Sequence, residues 1–90
     1  MKEIDYSRFS QDYLDAYVEA VRCWLAFVTY KGDRRSRTYR LLESQSDEAR
    51  DFLWVTPSGS NLPNFMVVSS LYYDEGIVDA DEMLSVIFGV

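Results

Sequence analysis

The sequence predicts an all-α, or mainly α, fold of about five short-to-medium helices ending in a C-terminal helical hairpin. Three observations carry this. Apolar residues recur at helical spacing after Ser10, Ser/Asp/Asn residues stand where helix N-caps belong, and a Gly76-Ile77 pair sits where a helix should stop. The competing prediction is an α+β fold with a β-hairpin around residues 25–43.

The first helix rests on Leu14, Tyr17, Val18, Val21, Trp24, Leu25 and Val28, which repeat at i, i+3, i+4 and i+7 and so share one face. Ser7 or Ser10 can cap it, Asp12 and Asp15 suit the positive end of its dipole, and Gly32 is expected to end it. Residues 31–40 read as a polar connection. Tyr39, Leu41 and Leu42 then fit either a short helix or the second strand of a hairpin begun by Phe27 to Tyr30. Ser46, followed by Asp47 and Glu48, reads as a further helix start, with Ala49, Phe52, Leu53 and Val55 on its apolar side until Pro57. A loop follows over 56–61, and Asn61 with Pro63 resembles a capped start with proline in the first turn. Met66 to Tyr73 is assigned to a helix because Gly76-Ile77 has the form of a Schellman stop. Asp79 and Glu82 are spaced as in a capping box ahead of Met83, Leu84, Val86 and Ile87.

Ninety residues predict one small domain, residues 1–90, with one core. An apolar content of 48% and an aromatic content of 16% exceed what leaves a chain disordered. The absence of histidine removes the commonest general base and metal ligand, and with them Ser-His-Asp, Cys-His and His-zinc chemistry. Cys23 is the only cysteine, which excludes an intramolecular disulfide and suits a reducing, cytoplasmic setting; with no histidine to activate it, it reads as an inert core residue. The first residues mix both charge signs and lack the apolar stretch of an export signal. The longest run without charge, residues 52–73, contains Pro57, Gly59, Asn61, Pro63 and Asn64 and so does not read as a membrane helix. The 56–61 loop lacks the second glycine and the Lys-Ser/Thr pair of a P-loop. No cofactor or metal site and no catalytic residue is predicted.

Charge is unevenly placed. The net charge is −6, but residues 31–50 carry six basic against four acidic side chains, and residues 51–90 carry none against six. Lys31, Arg34, Arg35, Arg37 and Arg40, flanked by Tyr30 and Tyr39, form a basic patch of the composition that single-stranded nucleic acid recognition uses. The overall negative field opposes that use. Asp74, Glu75, Asp79, Asp81 and Glu82 form an acidic patch around the last turn. With Gly76 aligned to the loop glycine of an EF-hand, Asp79 and Glu82 fall on ligand positions, and residues 71–84 resemble a degenerate helix-loop-helix of that type. Leu71 and Tyr73 occupy the positions of its first carboxylates, so calcium would find too few oxygens.

The expected function is that of a non-enzymatic protein-interaction module, with the acidic patch and exposed aromatics meeting a basic, nucleic-acid-handling protein surface. A short, acidic, aromatic-rich chain without histidine is similar in type to the small inhibitors that phages and mobile elements encode against host defence nucleases, some of them nucleic-acid mimics. The basic segment departs from an all-acidic mimic. The alternative is a small nucleic-acid-binding accessory protein using residues 31–40 through Arg34, Arg35, Arg37 and Arg40. No membrane partner is expected, and the bipolar charge also suits a homodimer.

Overall fold

In a computed structural model the described residues are 3–89; Met1, Lys2 and Val90 lie outside them, so the mixed-charge start of the chain is described only from Glu3. A single 3-10 turn, Tyr6–Arg8, leads into α1 (Gln11–Val28), followed by α2 (Arg37–Trp54), α3 (Phe65–Tyr73) and α4 (Ala80–Phe88). The described residues are mainly helical and contain no strand. The envelope measures 42 × 25 × 19 Å.

Helices α1 and α2 form a long antiparallel pair. Tyr13 near the start of α1 meets Phe52 near the end of α2 with ring centroids 5.1 Å apart, and at the other end Phe27 meets Tyr39 at 5.4 Å. On α1 the buried and half-buried face runs through Tyr13, Tyr17, Ala20, Trp24 and Phe27; on α2 it runs through Tyr39, Leu42, Ser46, Ala49 and Leu53. Both sets alternate steps of three and four, the spacing of a helix seam. Small residues at Ala20, Ser46 and Ala49, all buried, let the two backbones approach mid-length. The backbone of α3 lies nearest α2 and that of α4 nearest α1, so the two C-terminal helices pack more on the long pair than on each other.

Each helix starts where a side chain accepts an otherwise unpaired backbone N–H. Ser10 accepts from Tyr13, Ser36 from Tyr39, Asn64 from Val67 and Asp79 from Glu82. Ser10 and Asp79 hold the positions expected of them. Gly76 has φ +71° and is followed by buried Ile77, whose N–H reaches Leu71 O at 3.1 Å, so the stop after α3 has the expected form.

Four expectations are corrected. The β-hairpin at 25–43 does not form, because Phe27 and Val28 complete α1 while Thr38 to Leu42 lie in the first turns of α2. Ser46 does not start a helix: it is a buried interior residue of one 18-residue α2, which replaces the two elements expected there and brings the α-helix count among the described residues to four. Gly32 does not end α1. The helix stops at Val28, where the Thr29 hydroxyl donates to Leu25 O at 2.6 Å, and Gly32 instead leaves room for the Tyr30 ring, with which a Cβ would collide. Finally, α3 is capped by Asn64. Asn61 adopts φ +63° and its Nδ2 donates to Glu3 O at 3.0 Å, while Pro63 precedes the helix and its buried carbonyl accepts the Tyr17 hydroxyl.

Candidate interaction surface

Helix α3 reads Phe-Met-Val-Val-Ser-Ser-Leu-Tyr-Tyr and is apolar on nearly every side, yet Val68 is its only fully buried residue. Such a helix normally belongs inside a protein. Its inner side is fixed by aromatic contacts: the Trp24 indole meets Phe65 at 5.2 Å and Tyr72 at 5.5 Å, both edge to face. Its outer side presents Met66, 63% exposed, and Tyr73, 70% exposed, seven residues apart and therefore on one face with Ser69 and Ser70 between them. Trp54 extends this surface onto the end of α2 through a 5.4 Å ring contact with Phe65, and Val55, 76% exposed, follows it. The sequence points to exposed aromatics as contact residues but does not single out this face. The signal that could have found it was the mismatch between the apolar composition of residues 65–73 and the limited core of a ninety-residue chain.

The structure spreads the acidic residues over the α3–α4 turn and the first turn of α4, all exposed. Three of the five have local tasks. Asp79 caps α4, Asp81 pairs with Arg22 of α1 at 2.8 Å, and Asp74 accepts the Ser70 hydroxyl at 2.7 Å. Glu75 and Glu82 make no side-chain hydrogen bond or ion pair among the described residues. The EF-hand likeness ends at the turn: no group of three His, Cys, Asp or Glu side chains among the described residues is arranged to hold a metal ion.

Lys31, Arg34, Arg35, Arg37 and Arg40 are all exposed, on the α1–α2 connection and the first turn of α2. The connection is a built turn. Asp33 Oδ1 accepts the Arg35 N–H at 2.8 Å, its carbonyl accepts from Ser36, and the Tyr30 and Ser36 hydroxyls meet at 3.0 Å. Tyr30 and Tyr39 are half-buried and pack on each other at 6.0 Å, so the rings flanking the arginines help close the turn.

The Cys23 thiol is half-buried, and burial together with Glu19 pushes its pKa up, which keeps it protonated. Asp5 is shifted the other way, chiefly by the Ser7 hydroxyl that it accepts. Among the described residues no helix is long and apolar enough to cross a membrane. The chain matches no known protein family, no curated protein sequence and no solved structure.

Proposed function

We propose that the protein is a non-enzymatic protein-interaction module that lays the outer face of α3, with Trp54 and Val55, onto a partner of basic surface, as a small acidic stoichiometric inhibitor would. The observation that carries this reading is the exposure of Met66 and Tyr73 on the outer side of α3, with Trp54 and Val55 beside its start, large apolar side chains that the core leaves uncovered. Tyr73 and Trp54 are large amphipathic side chains of the type that dominates binding energy. The partner's sign follows from the surroundings: residues 51–90 carry six acidic and no basic side chains, and Asp74 and Glu75 adjoin Tyr73 directly. An apolar centre rimmed by carboxylates favours a partner presenting apolar residues among Lys and Arg.

The test is affinity capture from a lysate of the source cells with wild type, Met66→Asp/Tyr73→Asp and Glu75→Gln/Glu82→Gln proteins. Wild type is expected to retain a basic protein in near-equal amount. The aspartate variant should lose it while keeping its helical circular dichroism, because Met66 is exposed and Tyr73 meets the Trp24 indole only by its edge, at 6.3 Å, while remaining 70% exposed. The glutamine variant should retain it less well and with a weaker salt dependence. Equal capture by the wild type and the aspartate variant, or recovery of nucleic acid alone, would overturn the proposal.

A further inference from the structure

An apolar cleft of about 310 Å³ opens where the α1–α2 connection meets the α3–α4 turn, lined by Val28, Thr29, Tyr30, Lys31, Tyr72 and Val78. The Tyr72 hydroxyl donates to Val28 O at 3.3 Å and ties its two walls together. One wall continues into the basic segment and the other into the acidic turn, so opposite charges flank one apolar floor. They do not neutralise each other within the chain. Among the described residues the ion pairs are Arg8–Asp5, Arg22–Asp81 and Arg50–Asp47, none of which uses Lys31, Arg34, Arg35, Arg37 or Arg40 on one side or Asp74 or Glu75 on the other.

Both groups also stand at the helix end that disfavours their sign. Arg37 and Arg40 lie in the first turn of α2, where peptide N–H groups already present positive charge and no acidic residue offsets them. Asp74 closes α3 at its negative end, with Glu75 next to it and no basic residue in the last turn. Two such placements at one end of a molecule go against local helix electrostatics, and a partner bearing the opposite charges relieves both.

We propose that this end of the molecule is a two-fold symmetric dimer interface whose occupant is a second copy of the chain. A symmetric face-to-face dimer must be self-complementary. A basic group and an acidic group on either side of a cleft meet that condition when the two-fold axis crosses the cleft perpendicular to the line joining them. Arg34 and Arg35 of each copy then face Asp74 and Glu75 of the other, and Val78, 60% exposed, is covered at the centre. Met66, Val67 and Trp54 take no part in this interface, whereas Asp74 and Glu75 are shared with the α3 reading; the Arg34→Glu/Arg35→Glu protein, which leaves the α3 face untouched, separates failure of one from failure of the other.

Sedimentation velocity on the full chain tests it with two charge-reversed proteins, Arg34→Glu/Arg35→Glu and Asp74→Lys/Glu75→Lys. Wild type is expected to dimerise at about 50 mM salt, with a dissociation constant at least about tenfold weaker at about 500 mM. Each reversed protein alone should be monomeric, since like charges then face each other across the axis. An equimolar mixture of the two should restore the dimer, because every contact pair is again of opposite sign. Loss of folding is separable from loss of association: Asp74→Lys/Glu75→Lys gives up the exposed Ser70–Asp74 hydrogen bond but places cations at the negative end of α3, so its melting temperature should stay close to that of wild type. A wild-type monomer at low salt, a dimer indifferent to the reversals, failure of the mixture to restore it, or a monomer that binds single-stranded DNA through Arg34 and Arg35 would each overturn the proposal.

Discussion

Trp24→Ala is expected to destabilise the protein by about 3–5 kcal/mol, the range for truncating a buried large aromatic. Trp24 is 4% exposed and is the hub of the aromatic contacts, with Phe65, Tyr72 and Tyr73 all edge-on to its indole. Removing it deletes apolar burial and opens a cavity at the place where α3 leans on the long helical pair. Neither α1 nor α2 can readily fill that space, because the pair is held on both sides of it, by the Tyr13–Phe52 contact towards one end and the Phe27–Tyr39 contact at the other. A ninety-residue chain has about 4–13 kcal/mol of total stability, so the loss is a large fraction of the whole. Urea denaturation followed by circular dichroism measures it, and the fluorescence of Trp54, the one tryptophan left in this variant and in contact with Phe65 of α3, should change at lower urea than the helical signal of α1 and α2. A loss below about 1 kcal/mol would show that α3 is held by something other than this indole.

Tyr17→Phe is expected to cost about 1–3 kcal/mol at neutral pH, because it leaves the buried Pro63 carbonyl without its donor. The same residue governs behaviour in alkali. Burial is the main cause, with a smaller contribution from Tyr13, of a phenol pKa raised far above its ordinary value of 10.0. The native state therefore holds this proton more tightly than the unfolded chain. Its contribution to stability is whole below about pH 10 and declines above it, by roughly 1.4 kcal/mol per pH unit, until the native phenol itself ionises. Tyr13, whose pKa is also raised by burial, adds to the same limb. In denaturant titrations across the alkaline range, Tyr17→Phe should start lower and fall less steeply than wild type. Parallel profiles would show that Tyr17 is not the group being titrated.

The parts of the fold legible in the sequence are those whose apolar residues repeat without interruption. Helix α1 has such a stripe, and the Gly76-Ile77 stop and Asp79 cap are local chemistry that no distant contact overrides. Helix α2 was hidden because the middle of its stripe is made of Ser46 and Ala49. There the neighbouring backbone is close, and small size matters more than hydrophobicity; a serine between polar neighbours has the same appearance in sequence as a cap. The start of α3 was misplaced for a different reason. Asn61 and Asn64 are both competent caps, and the choice between them is made by the Asn61 contact to Glu3 O, fifty-eight positions away. As for the candidate surface, the two charged patches were visible as counts, but their shared position at one end depends on how α3 packs. The apolar face of α3 was visible only as a helix with more hydrophobic sides than the core could use.

The contacts between the chain's beginning and the 56–64 loop also bear on the order of folding. Ile4 is buried, Asp5 N–H donates to Ser60 O at 2.8 Å, and Asn61 reaches Glu3 O, whereas the α1–α2 pair is joined by a short turn and closes early. Contacts that span most of the sequence are paid for last in chain entropy and are the least formed in the folding transition state. Weakening this N-terminal strap, as Ile4→Ala would, should therefore accelerate unfolding while leaving the refolding rate nearly unchanged. The strap works as a latch on the lifetime of the native state.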